Sequence, residues 1–292
     1  MQRPCASRSP ASAALAALLA AALLAAACTS TAERLPSPAQ EAAAARSQGA
    51  ARAFKRGDLQ QALKLYTEAL AAAESVEDFE AGGTALLNLA LVHARLGQYP
   101  AAHARVDRVL AAPQRYGAAL HAQAAARKAL LYLDAPDLDA ALRLADAAEK
   151  ACAEPCPLAA VLINVRAYVA LERGDAERAA TLAARAVELA SAAHLEAEQA
   201  NALRLSGRAH TRGGRTAQAA QALAQALELD RQLGLSDRVA LDLVYAAENE
   251  QRRDQPEAAR EYYERAMTVY RAAGNLEAAQ AMRLRMGSVE RR

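Results

Sequence analysis

Apolar and polar positions alternate along this chain in paired stretches. Each stretch repeats its apolar residues at helical spacing, and a turn residue separates it from the next. The turn positions Gly57, Gly97, Pro136, Gly174, Gly214 and Asp254 lie 40, 39, 38, 40 and 40 residues apart. Seven places before each stand Ala50, Ala90, Ala129, Ala167, Gly207 and Ala247. Five places after stand Ala62, Ala102, Ala141, Ala179, Ala219 and Ala259, and twelve after stand Ala69, Val109, Ala148, Ala186, Ala226 and Ala266. Such a recurrence predicts helical hairpins at one stride. Small residues at fixed places let paired helices approach closely. Larger residues fill the space around them: Leu86, Leu89, Leu110, Leu130, Leu144, Leu203, Leu223, Leu243 and Tyr263. A single hairpin cannot bury its apolar faces, whereas stacked neighbours share a continuous core.

Composition narrows the class to all-α. Alanine fills more than a quarter of the 292 positions, Trp is absent and there are two Phe. Val and Ile are sparse, which disfavours a large sheet. Ala, Leu, Arg, Glu and Gln favour helix. An Ala-rich bundle without stacking is the competing architecture. Charge is balanced, with 35 Lys and Arg against 33 Asp and Glu. No basic domain stands out, so nucleic acid is not expected as the partner.

The segments FKRGDLQQALKLYTEAL (54–70) and LNLALVHARLGQYPAA (87–102) make the pattern specific. They resemble the two hairpin halves of the tetratricopeptide repeat family. The resemblance covers residues 43–273, about six repeats. It implies a right-handed superhelical solenoid with residues 274–292 as a C-terminal capping helix. The stride exceeds that family's usual 34, so longer second helices are expected. The family's early aromatic is missing, Pro136 replaces a turn Gly, and Lys128 occupies a usually apolar place. Repeats three and four depart furthest.

In the resembled family the first helix of each hairpin lines a concave groove that holds a partner segment. Carried onto this chain, that face comprises Asn88, Arg95, Arg127, Asn164, Tyr168, Asn201, Arg204, Arg208, Arg212, Tyr245 and Arg252. Asn88 occupies the place where the family often contacts bound backbone; an Asn offers both donor and acceptor. Arg204, Arg208 and Arg212 are four apart and form one stripe on a helix. The stripe reads either as a seat for an acidic segment or terminal carboxylate, or as a solvated face balanced by nearby Glu.

The N-terminus reads as an export leader. Arg3 and Arg8 precede an uncharged apolar run, 11–27, which stops at Cys28. Leu24-Ala25-Ala26-Ala27-Cys28 resembles the lipobox of bacterial lipoproteins, although Leu stands one place further out than usual. That resemblance implies a signal peptide over 1–27 and a lipidated Cys28. It also implies membrane attachment, and Thr29 points to the outer membrane of a Gram-negative bacterium, facing the periplasm. An ordinary secretion signal is the alternative. Residues 28–42, rich in Ser, Thr and Pro, are expected to be a flexible tether. Export would place Cys152 and Cys156 in an oxidising compartment, where they form either a disulfide or two small buried thiols.

No catalytic constellation emerges. His93, His103, His121, His194 and His210 belong to no HExxH or Cys/His metal spacing. Arg212-Gly213-Gly214-Arg215-Thr216 lacks phosphate-loop spacing and a preceding strand. No cofactor, metal or small-molecule substrate is expected, and no enzymatic activity. The expected function is an envelope scaffold or assembly factor that binds protein partners. The alternative is a non-catalytic regulator of a peptidoglycan enzyme.

Overall fold

The computed structural model describes residues 35–134 and 137–289. Among these residues stand thirteen helices and no strand. The first hairpin pairs α1 (Pro38–Lys55) with α2 (Leu59–Glu74), and the second α3 (Phe79–Arg95) with α4 (Tyr99–Leu110). The third pairs α5 (Pro113–Asp134) with α6 (Leu138–Ala151), and the fourth α7 (Ala159–Glu172) with α8 (Ala176–Ala192). The fifth pairs α9 (Glu196–Arg212) with α10 (Thr216–Gln232), and the sixth α11 (Ser236–Arg252) with α12 (Pro256–Ala272). Helix α13 (Leu276–Val289) packs against α12. The predicted leader and Cys28 lie outside the described residues, as does Pro136.

Local chemistry explains where the helices begin and end. Asp58, Asp78, Asp137 and Asp175 each accept a hydrogen bond from the backbone N–H three residues on, at 2.9–3.1 Å. Each satisfies one of the donors that a helix start leaves free. At the end of α1, Gly57 adopts a left-handed φ of 81° and the Asp58 N–H reaches back to Ala53 O at 3.0 Å. That closure caps the last carbonyls, and glycine makes it without a Cβ clash. Asp254 takes the same conformation, with φ 58°, where the turn position lacks Gly.

The first helix corrects one expectation. Residues 38–42, read as part of a flexible tether, are helical. Ser37 Oγ accepts from the Gln40 N–H at 3.3 Å, and Gln40 Oε1 accepts from the Ser37 N–H at 2.9 Å. Pro38 stands in the first turn with its φ already suited to helix. This reciprocal cap makes Ser-Pro-Ala-Gln a start signal, and the Pro content of the segment concealed it.

All eighteen recurring small positions are buried. Gly207 shows why they are small: a Cβ there would stand 2.5 Å from Leu223 Cγ of the facing α10. Leu86, Leu89, Leu223, Leu243 and Tyr263 fill the space between and are almost wholly enclosed. The lengthened stride is shared by both helices of a hairpin rather than added to the second. Helices α8 through α12 are each 17 residues long. The middle of the stack is less regular. Helix α4 has 12 residues, and α5 is kinked at Gly117, where φ is 76°. Lys128 there escapes its apolar surroundings by pairing with Asp107. Cys152 and Cys156 are joined by a disulfide in the connection between α6 and α7, with Cα atoms 5.4 Å apart.

Each helix packs on the next along the chain, and each first helix from α1 to α9 also touches the first helix of the following hairpin. Contacts between successive second helices are sparser. In a curved stack the elements nearest together are on the inside, so α1, α3, α5, α7, α9 and α11 line the concave face. The curvature is strong enough for Arg95, at the end of α3, to form an ion pair with Asp237, at the start of α11.

Candidate protein-binding groove

Two cavities open on the concave face, and first helices supply nearly all their walls. The first measures about 200 Å³ and draws on α3, α5, α7 and α9. Leu87, Ala126, Leu130 and Val161 give it an apolar floor, to which Leu158 of the disulfide-closed connection adds. Asn88, Gln123, Arg127 and Glu198 supply polar groups around that floor. Burial lowers the proton affinity of the Arg127 guanidinium, and the Glu198 charge opposes that effect. The apolar floor with an arginine and two amides at its rim can seat an apolar side chain while its backbone meets the polar rim.

The second cavity, about 310 Å³, lies between α9 and α11. Arg208, Thr211, Arg212, Tyr245, Glu248, Gln251 and Arg252 line it. Arg208 lies 4.6 Å above the Tyr245 ring and 5.7 Å from that of Tyr168, and it pairs with Glu172 at 2.8 Å. Flat guanidinium faces suit such stacking. The Tyr245 hydroxyl is pushed above its ordinary range by burial, with Arg208 opposing. Arg212 reaches Glu172 at 3.4 Å and also donates to Leu171 O. Glu248 is engaged by Arg285 of α13 at 2.6 Å. Arg252 is exposed at the cavity wall and has no acidic partner among the described residues. With its carboxylates already paired, this cavity presents a surplus of positive charge.

The structure separates the residues expected in one groove into open and enclosed sets. Asn88 and Arg127 wall the first cavity; Arg208, Arg212, Tyr245 and Arg252 wall the second, with Tyr168 beneath Arg208. Arg95 is exposed, bridging to Asp237 and lying 5.7 Å from the Phe54 ring.

Two assignments are corrected. Arg204 does not belong to an open stripe with Arg208 and Arg212: it is 3% exposed and faces Asp242 and Asp230. Its position on α9 turns it into the contact with α10 and α11. Asn164 is 2% exposed, and its amide donates to Glu198 O at 3.1 Å and Oε2 at 3.2 Å. It ties α7 to α9 instead of facing a ligand. Asn201 accepts from Arg204 at 3.3 Å and so supports that buried contact.

Sequence reasoning missed the acidic members. Asp242 sits within Val-Ala-Leu-Asp-Leu-Val-Tyr, beside Leu243 and two places from the buried Ala240. That register was legible; its partner was not. It also missed Thr211 and Asn249, which meet at 3.1 Å across the same interface, where Asn249 donates onward to Thr216 O at 3.0 Å.

Among the described residues, no group of three or more His, Cys, Asp or Glu is placed to hold a metal ion. None of their helices is long and apolar enough to cross a membrane.

With this geometry in hand, comparison places the fold among helical repeat solenoids. Residues 40–115 match the model of the tetratricopeptide repeat family. No curated protein matches the chain in sequence. Among solved structures, a Rap protein complexed with competence and sporulation factor superposes with TM-score 0.63 at 14% identity, covering 86% of this chain and 74% of that one. The apo form of RapI gives 0.63 at 14% identity, over 88% and 92%. The APC/C hetero-tetramer Cut9–Hcn1 gives 0.62 at 14% identity over 82% of this chain, which spans only 43% of that one. At identities this low the likeness shows a shared fold and nothing further. The architecture is of the tetratricopeptide type.

Proposed function

We propose that this protein is an outer-membrane-anchored scaffold or assembly factor of the bacterial envelope, and that its concave face holds a segment of a protein partner. The observation that carries the groove reading is the pair of cavities on one inner face. One has an apolar floor rimmed by Asn88 and Arg127; the other has Arg252 at its wall, without an acidic partner among the described residues. An extended segment with an apolar residue for the first and an acidic group for the second complements both. The Rap protein, whose fold is similar, is described in complex with competence and sporulation factor, which fits a solenoid of this shape acting as a receptor for a partner. Anchoring rests on Leu24 to Cys28 and the apolar run before them. Two acyl chains or more hold stably where one is marginal.

Affinity capture from detergent-solubilised envelopes tests the groove. Arg252→Glu reverses charge at the open cavity without touching the buried Arg204. It is expected to lose partners that the wild type retains, and an identical partner set would sink the groove reading. Cys28→Ser tests the anchor separately: the variant should move from the membrane pellet to the soluble fraction, and one that stays in the pellet contradicts lipidation.

A further inference from the structure

The strongest unexplained feature is a cluster of buried charge where repeats five and six meet. Arg204 Nε of α9 donates to Asp242 Oδ1 of α11 at 2.6 Å, and its Nη2 pairs with Asp230 of α10. Both aspartates are wholly enclosed. One guanidinium therefore faces two carboxylates, each on a different helix. If both ionise, the single guanidinium bonded to them neutralises only one, and Arg238 acts on Asp230 through space without a bond to either; leaving an enclosed carboxylate short of a bonded cation is unfavourable. Asp230 Oδ1 also lacks any hydrogen-bond donor. A proton on either carboxyl would relieve the repulsion between them and supply a donor where Asp230 Oδ1 has none.

We propose that Asp230 and Asp242 share one exchangeable proton, with Arg204 as their counter-cation, and that its release loosens the junction of repeats five and six beneath the groove. The charged groups around the pair act in opposite senses: the cations favour ionisation, while burial and the second carboxylate oppose it. From α9 comes Arg204, and from α10 Asp230. On α11 itself Arg238 stands nearby, its proton affinity lowered by burial and then by Arg204, and raised by Asp230 and Glu198. No ionisable group of α12 bonds to or pairs with Asp242 among the described residues. Burial pushes the Asp242 carboxyl up to about 7; Arg204 opposes the rise and Asp230 adds to it. The same two helices carry the effect outward. Arg208 is one turn beyond Arg204 and Tyr245 one turn beyond Asp242, and both wall the larger cavity. The consequence for partner binding rests on the groove reading; the proton itself does not.

The sign follows from linkage. The folded chain keeps a proton that the unfolded chain releases above the ordinary carboxylate range. Stability therefore falls as pH rises from about 4 to about 7 and is level above that. Thermal melts of the whole protein between pH 5 and 8, followed by circular dichroism, test this. Wild type is expected to lose about 5 °C across the range. Asp242→Asn keeps the shape of the protonated acid without its proton, so most of that loss should disappear, and at pH 8 the variant should melt no lower than wild type. Histidine titrations affect both profiles alike. Parallel profiles for the two proteins overturn the proposal. Should Asp242→Asn fail to fold, Asp230→Asn makes the same comparison, and a ¹³C-carboxyl titration of wild type reads the proton directly. Two aspartates both titrating in the ordinary range would overturn it as well. An unchanged partner set for Arg252→Glu alongside a wild-type-specific pH profile would sink the groove reading alone.

Discussion

The inner helices of repeats two and three share an apolar core to which Leu86, Leu89, Ala90, Leu120 and Ala124 contribute, all enclosed. Those of repeats five and six meet through Arg204, Asp242, Thr211 and Asn249. Both regions have the same helix pairing and the same small-residue register. They differ in what fixes the angle between neighbours. Apolar packing is non-directional and tolerates small slides, whereas a guanidinium bonded to two carboxylates accepts few geometries. A solenoid assembled this way has one end set by shape and the other by directional bonds. The directional end carries the charged cavity.

Removing Arg204 should break this contrast most severely. Arg204→Met leaves two enclosed carboxylates without their cation and is expected to destabilise the fold by about 3–5 kcal/mol, measured by urea unfolding. A loss below about 1 kcal/mol would mean that the charge cluster is no more important than a surface pair.

The close helix contacts sharpen the comparison at an intermediate scale. A Cβ on Gly207 would meet Leu223 Cγ, a branch point, at 2.5 Å, with the Ala219 carbonyl oxygen 3.4 Å away. A Cβ on Gly83 would meet Leu120 Cδ1 at 2.7 Å and the Tyr116 ring at 2.9 Å. The Leu120 methyl can swing aside more readily than a branch carbon can. Overpacking costs about 1–3 kcal/mol, against roughly 0.5–1 kcal/mol gained when Ala replaces Gly within a helix. Gly207→Ala should therefore lower the melting temperature, and Gly83→Ala should change it less. Equal losses would show that the α9–α10 contact within repeat five and the α3–α5 contact between repeats two and three are similarly rigid.

The smallest effect is expected at Arg95. Its pair with Asp237 joins repeats two and six across 142 residues, but the two side chains are 45% and 44% exposed. Exposed pairs contribute up to about 1 kcal/mol. Arg95→Ala should leave stability within that limit while widening the distribution of distances between labels on α3 and α11. An unchanged distribution would show that stacking alone sets the curvature.

Much of the fold was legible in the chain. Turn residues and alanines recurring at 38 to 40 residues located the hairpins, because a close helix contact excludes a larger side chain wherever it recurs. The start of α1 was legible too, in Ser37 and Gln40, once read as a reciprocal cap instead of a Pro-rich tether. The groove was only half visible. Helical register placed Arg204 on one stripe with Arg208 and Arg212, but a stripe has no information about which of its members faces the neighbouring hairpin.

Sequence by itself determined the all-helical class, the stride and the small-residue seams, since each depends on spacing within a few helical turns. Only the tertiary structure decided which polar groups are enclosed. Asp230 lies 26 residues and Asp242 38 residues from Arg204, and their meeting depends on how three helices cross. Burial then turns ordinary surface-type residues into a coupled set, because the charge of each is fixed by neighbours that the chain brings near only when stacked.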